Sequence, residues 1–366
     1  GASGDDVKVW QFKSDGAAYI SDGVIRTSEV NAYPIAGRAL LGTFIEVSLP
    51  FLTSPHCVPV VKGDHLLGLI LTYDSNARLM TVVPPSVLRH FLNDYHDGGY
   101  DGFPQLGASF AQLDDPQLMS YLNVAEDVTG VYITAVQPGS AAEKGGLKRG
   151  DVLTAIDDID INRQGEYQHP DLGTISLAHL ISTESQAGAE RTLHILRDGK
   201  ALELVISLYF MDPAARPVPQ MIKDRAPDFM IVGGMVLTEL SREFLSAWGS
   251  KWPQRAPRRL VYIDQNQDAL LEPDSRLVII THILPLEVNA GYDGIGGEIL
   301  QSVNGVDVSS LKEVAEALQN PVDGYQVFRL AERNRELVML KDHVDASADS
   351  LQERYRIPVL QRLDYQ

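Results

Sequence analysis

Alternation of apolar and polar positions dominates the first eighty residues. The run Val7-Lys8-Val9-Trp10-Gln11-Phe12 alternates, and the same period of two continues through much of Ala17 to Val30. That period puts successive side chains on opposite faces of a strand. Two apolar stretches, Cys57 to Val61 and Leu66 to Tyr73, flank the turn Lys62-Gly63-Asp64-His65 and predict a hairpin. Pro84-Pro85-Ser86 then halts the strands and opens a helix from Val87 to His96, with Val87, Leu88, Phe91 and Leu92 on one face. A glycine-rich turn from Asp97 to Gly102 begins the next module.

From there the pattern repeats. Thr134-Ala135-Val136-Gln137-Pro138 through Asp160-Ile161 aligns without a gap to Thr281-His282-Ile283-Leu284-Pro285 through Asp307-Val308. The shared frame is a strand, a proline, a short variable segment, then Gly-acid-aliphatic-Leu and a second strand with a turn. Each copy continues into an amphipathic helix, with Leu177, Leu180 and Ile181 on one face in the first and Leu311, Val314 and Leu318 in the second. Each ends in two strands, the first pair joined at Asp198-Gly199, a two-residue hairpin signal. A duplicated domain is the reading this order demands.

Composition narrows the function. A net charge of −18 offers no attraction to nucleic acid or to anionic membrane surfaces, and no apolar run reaches membrane-spanning length. Cys57 is the single cysteine, which excludes an internal disulfide and a cysteine-based zinc site. The histidines show no metal-ligand spacing, and no cofactor motif is present. Asp264-Gln265-Asn266-Gln267-Asp268 imitates the start of a calcium loop. Ala269 stands where the sixth-position glycine belongs and Ser275 where the closing glutamate belongs, so an exposed acidic loop is expected instead.

Pro138-Gly139-Ser140-Ala141-Ala142 through Gly146-Leu147-Lys148-Arg149-Gly150-Asp151-Val152-Leu153 resembles the PDZ domain of bacterial and plant Deg/HtrA proteases. The second copy keeps Gly297-Glu298-Ile299-Leu300 but has lost the small-residue pattern over Leu286 to Ile295. Tyr100-Asp101-Gly102-Phe103-Pro104-Gln105-Leu106-Gly107 resembles the entry to the first PDZ domain in a plant-type branch with two such domains. Residues 6 to 95 resemble the second β-barrel of the trypsin-like domain of that branch, through Ser21-Asp22-Gly23-Val24-Ile25 and Thr81-Val82-Val83-Pro84. The resemblance implies a mainly β fold with some α: a trypsin-like second barrel over 1–96, a first PDZ domain over 97–212 and a divergent one over 213–366. Pro213 to Pro227 then connects the two PDZ domains, and the long insertion Glu239 to Asp274, with Trp248 and Trp252, suits self-association or docking. The family also implies an extracytoplasmic compartment such as the periplasm, although a lone cysteine equally fits the cytoplasm.

A trypsin-like protease needs a serine, a histidine base, an orienting carboxylate and backbone donors for the oxyanion. The family's nucleophile lies in Gly-Asn-Ser-Gly-Gly-Pro, and the matching stretch here is Ser54-Pro55-His56-Cys57-Val58-Pro59. With Pro59 aligned, His56 replaces the serine, Cys57 and Val58 replace both glycines, and Pro55 has no N–H. The family's histidine and aspartate belong to a first barrel that this chain does not contain. Cys57 beside His56 makes no nucleophile–base pair, because neighbours in a strand face opposite ways. Ser54 and His56 share a face but have no orienting carboxylate in view. No catalytic residue is therefore expected.

PDZ domains capture extended peptides as an added strand, with a nest of backbone N–H groups for the terminal carboxylate. By resemblance, the nest of the first domain is Gln105-Leu106-Gly107-Ala108, leading into an edge strand at Ser109-Phe110. A groove helix is expected from about Ser176 to Ser185, and Phe103, Leu106, Leu177 and Ile181 are expected around the terminal side chain, each serving equally well as plain core. In the second domain Ile231-Val232-Gly233-Gly234 stands at the equivalent point. The expected partners are protein segments or C-terminal peptides and further copies of the chain. Three functions remain open: a peptide-binding pseudoprotease, part of an active endopeptidase, or PDZ domains used for assembly.

Overall fold

Six strands, the first and the last of which bury alternate residues, close into a barrel at the start of the computed structural model. The structure describes residues 1–13, 15–33, 39–49, 58–96, 99–220, 226–292, 294–331 and 335–363. These divide into two compact units, Gly1–Met211 and Asp212–Gln366. The barrel strands are β1 (Asp6–Phe12), β2 (Ala18–Ala32), β3 (Ala39–Val47), β4 (Pro59–Lys62), β5 (His65–Asp74) and β6 (Leu79–Val83). Their order is β1-β2-β3-β6-β5-β4, and β4 pairs back onto β1. Val7, Val9, Ile25, Ile45, Val60, Met80 and Val82 fill the interior. The alternation of the sequence is thus the inside and outside of one barrel wall.

Helix α1 (Pro85–His96) follows, and its buried face differs from the one its apolar residues predict. Val87, His90 and Asp94 are buried, whereas Phe91 and Leu92 are exposed. The reason is polar. The Asp94 carboxylate accepts the amides of Asp101 at 3.0 Å and Gly102 at 2.7 Å. The His90 ring stacks on Phe103 with centroids 4.2 Å apart, and its Nδ1 lies 3.3 Å from the Thr183 carbonyl. The Asp94 carboxylate, with two amide partners, fixes which face turns inward, since leaving such a group unpaired costs about 1–3 kcal/mol.

The rest of the first unit is built from β7 (Ala108–Gln112), α2 (Pro116–Tyr121), β8 (Val131–Val136), α3 (Ala141–Lys144), β9 (Val152–Ile156), β10 (Ile159–Asp160), β11 (Glu166–His169), β12 (Gly173–Ser176), α4 (Ala178–Ser182), β13 (Glu190–Arg197) and β14 (Lys200–Ser207). The sheet runs β14-β13-β9-β8-β7, with β10 on β9, and β11–β12 is a separate hairpin. Asp115 and Ser140 cap α2 and α3 by accepting the amides of Gln117 and Glu143, each worth about 1 kcal/mol. The α4 helix is shorter than the expected 176–185. Its core, with Leu177, Leu180 and Ile181, is continuous with the barrel residues Tyr33, Leu40, Leu41 and Val87. Ser182 Oγ donates to the Ala39 carbonyl at 3.1 Å, so α4 is braced on β3.

The second unit contains β15 (Phe229–Val232), β16 (Met235–Glu239), α5 (Arg242–Ser246), α6 (Trp252–Arg255), α7 (Arg258–Leu270), β17 (Val278–Ile283), β18 (Glu298–Val303), β19 (Val306–Asp307), α8 (Leu311–Ala317), β20 (Tyr325–Leu330), β21 (Glu336–Leu340), α9 (Lys341–Tyr355) and β22 (Gln361–Arg362). Its sheet runs β21-β20-β18-β17-β16-β15-β22, with β19 on β18. The aligned repeat carries β8, β9 and β10 onto β17, β18 and β19 in order.

The acid of each Gly-acid motif is buried and paired. Asp151 binds Arg197 through two bonds of 2.7 Å and accepts the Lys148 amide. Glu298 accepts Arg259 of α7 at 2.7 Å. The expected acidic loop at 264–268 is instead part of α7. Asp264 is buried against Arg242, Gln267 accepts the buried Val218 amide, and Asp268 pairs with Arg216. Trp248 and Trp252 of the insertion pack around Leu245, Leu260 and Ile279. Both tryptophans are half-buried there.

Candidate peptide-binding edges

Strand β7 ends its sheet, with β8 on one side and no strand on the other among the described residues. Its residues from Ser109 to Gln112 are exposed, and Phe110 is 38% accessible. The turn before β7 is held from behind. Gln105 pairs with Tyr209, donating to its carbonyl at 3.1 Å. The Leu106 carbonyl accepts the Ala142 amide and the Gly107 carbonyl accepts the Gln137 amide, both at 2.8 Å. The amides of Leu106 and Gly107 donate to no acceptor among the described residues. Both carbonyls are thus engaged behind the turn, and the two N–H groups precede the open edge of β7.

Gly107 has φ +75°, and a Cβ there would run into Cβ of Ser140, the buried cap of α3. Only glycine fits both the angle and the approach. Phe103, Leu106, Leu177 and Ile181 are all buried in the core cluster shared with the barrel, while Ala108 and Ser109 open β7. The structure therefore gathers the predicted residues of the first domain at one edge and its floor.

The second unit arranges the same elements differently. Val232 pairs with Met235, so Gly233 (φ +53°) and Gly234 (φ +85°) are the two central residues of a tight hairpin turn. Consecutive positive φ values match the type that suits hairpins. Strand β15 then runs back along β16, from Val232↔Met235 to Phe229↔Thr238. By position β16 is the counterpart of β7, and its edge is taken by the chain itself. Strand β22 adds outside β15, and the Ile231 amide donates to the Leu360 carbonyl at 2.7 Å. The expected nest residues Gly233 and Gly234 therefore stand at the turn between β15 and β16. Their carbonyls are held by Asn289 Nδ2 and the Leu284 amide. No pattern in the sequence marks this, because a strand filling a groove and a strand building a sheet carry the same residues.

A cavity of about 510 Å³ remains beside β15, lined among others by Met230, Val232, Leu318, Val344, Leu351 and Leu360. The stretch Ser54-Pro55-His56-Cys57, where His56 stands at the expected nucleophile position, lies outside the described residues. No helix among the described residues is long and apolar enough to cross a membrane.

One sheet order, β14-β13-β9-β8-β7 in the first unit and β21-β20-β18-β17-β16 in the second, recurs in the two units. Models of the PDZ domain match residues 132–169 and 218–361. The chain is 27% identical over 347 residues to "Protease Do-like 2, chloroplastic" of Arabidopsis thaliana, covering 93% of this chain and 54% of that one. It is 26% identical to "Protease Do-like 4, mitochondrial" of the same plant, covering 99% of this chain and 66% of the relative. The chain thus spans about half to two thirds of the length of these relatives. Among solved structures, "HtrA-type protease AlgW with decapeptide" aligns at 16% identity and a TM-score of 0.41, covering 58% of this chain and 62% of that one. The chain is a PDZ-containing homologue of Deg/HtrA proteases, mainly β with some α.

Proposed function

We propose that this protein captures extended protein segments at β7 and does not cut them. The observation that carries the reading is the free β7 edge headed by the unengaged amides of Leu106 and Gly107. A peptide lying antiparallel on that edge would gain main-chain bonds along β7, and its terminal carboxylate would meet the two amides. The absence of cutting rests on the sequence: His56 in place of the serine and Cys57 and Val58 in place of the glycines that shape the oxyanion turn. The compartment suggested by the relatives' names is a chloroplast or mitochondrion, which replaces the periplasm as the preferred location.

A second reading applies to the other unit. Because β15 fills the β16 edge, that PDZ domain serves structure or assembly into oligomers rather than ligand capture.

The test is a library of C-terminal and internal peptides screened against the full chain. Binding should be lost in Gly107→Val and kept in Gly234→Ala. An absence of any peptide binding refutes the capture reading. Casein cleavage by the longest natural product, abolished by a serine-directed inhibitor, refutes the pseudoprotease reading and favours an active endopeptidase.

A further inference from the structure

The fold brings together three side chains that their spacing in the sequence does not connect. His169 ends β11, His179 lies in α4, and Glu184 follows that helix. One ring nitrogen of each histidine and a carboxylate oxygen of Glu184 lie within 4.8 Å of one another. His179 is 1% exposed, and its Nε2 is buried with no hydrogen-bond partner. That nitrogen is 3.5 Å from Glu184 Oε1. Ligands at about 2.05 Å on a tetrahedral ion are separated by about 3.4 Å, so this pair already has a bite suited to zinc. The other nitrogen of His179, Nδ1, lies 2.7 Å from the Tyr167 hydroxyl.

We propose that His169, His179 and Glu184 form a site for a divalent metal of the zinc class, with water completing four-coordination. Two imidazoles and a carboxylate are a donor set that suits Zn²⁺ and disfavours Ca²⁺ and Mg²⁺, which take oxygen ligands. Metal on His179 Nε2 requires the ring hydrogen on Nδ1, where it donates to the Tyr167 oxygen. That is the outer partner a ligating histidine normally has.

His169 is where the site must adjust. Its Nδ1 accepts the amides of Asp171 at 3.1 Å and Leu172 at 3.2 Å. A metal competes with those contacts directly at Nδ1, or obliges the ring hydrogen to move there from Nε2. Both contacts belong to the turn between β11 and β12. With metal in place, this hairpin and α4 are tied together.

The experiment is equilibrium dialysis of the full chain against Zn²⁺, with Co²⁺ absorbance reporting coordination geometry. One Zn²⁺ per chain and a four-coordinate Co²⁺ spectrum are expected. His169→Ala and Glu184→Gln should each weaken binding by about 100-fold, and Tyr167→Phe by about tenfold. His194→Ala, whose ring faces Glu203 on the neighbouring strand at 3.6 Å, should change nothing. Glu184 is 46% exposed at its side chain, so its substitution tests the site without emptying the core. The proposal is overturned by no stoichiometric uptake, or by uptake that survives both His169→Ala and Glu184→Gln.

Discussion

The two PDZ units share a strand order and differ at one edge. In the first, among the described residues, β7 is the last strand and the amides of Leu106 and Gly107 at its glycine corner meet no acceptor. In the second, the equivalent β16 is covered by β15, which the Gly233-Gly234 turn delivers onto it. One glycine in a corner leaves a strand edge open, whereas two in a hairpin turn close it. An added strand supplies its own chain's hydrogen bonds where a foreign peptide would supply them, and it does so without the entropy cost of bringing two molecules together.

The largest effect that separates the units is expected at the buried acids. Asp151→Ala removes two carboxylate bonds from the partly exposed Arg197 and should destabilise the first unit by about 1.5–3 kcal/mol. Denaturant unfolding followed unit by unit checks this, and equal losses in both units would break the distinction. Next comes Gly107→Val. Forcing a branched side chain to φ +75° against Ser140 costs about 1–3 kcal/mol. If the corner adjusts to relieve that strain, peptide affinity should fall about tenfold to a hundredfold.

Hydrogen exchange tests the edges directly. Amides of β7 that face away from β8 should exchange about as fast as open loops and slow when peptide is added. The ladder amides between β15 and β16 should stay protected with or without it. Fast exchange along β16 would mean that β15 does not hold its place. The smallest effect concerns alkaline pH. Lys341 at the start of α9 is held above its usual pKa of 10.5 by Asp345. Any stability from this exposed pair is therefore present below pH 10.5 and lost as pH rises through the raised value. Lys341→Met should remove that slope from the second unit. The Asp151–Arg197 pair of the first unit should persist throughout, because a guanidinium keeps its proton.

Much of the fold was legible from local signals. The β4–β5 hairpin follows from its polar turn, the β13–β14 hairpin from Asp198-Gly199, and the shared sheet order from the ungapped repeat. Helix α1 was placed correctly but turned wrongly, because Asp94 and His90 take partners from Gly102 and Thr183 that no helical periodicity encodes. The segment 264–268 read as a loop because its polar residues conceal partners on α5 and on the stretch before β15.

The sequence by itself determined the strands, the duplication and the glycine corners, since period, turn chemistry and φ preference act between near neighbours. Which edge stays open, and that His169, His179 and Glu184 meet, only the tertiary structure decided. Those outcomes depend on which segments the folded chain brings side by side. A strand's own pattern records which face is buried, not which neighbour lies along its edge.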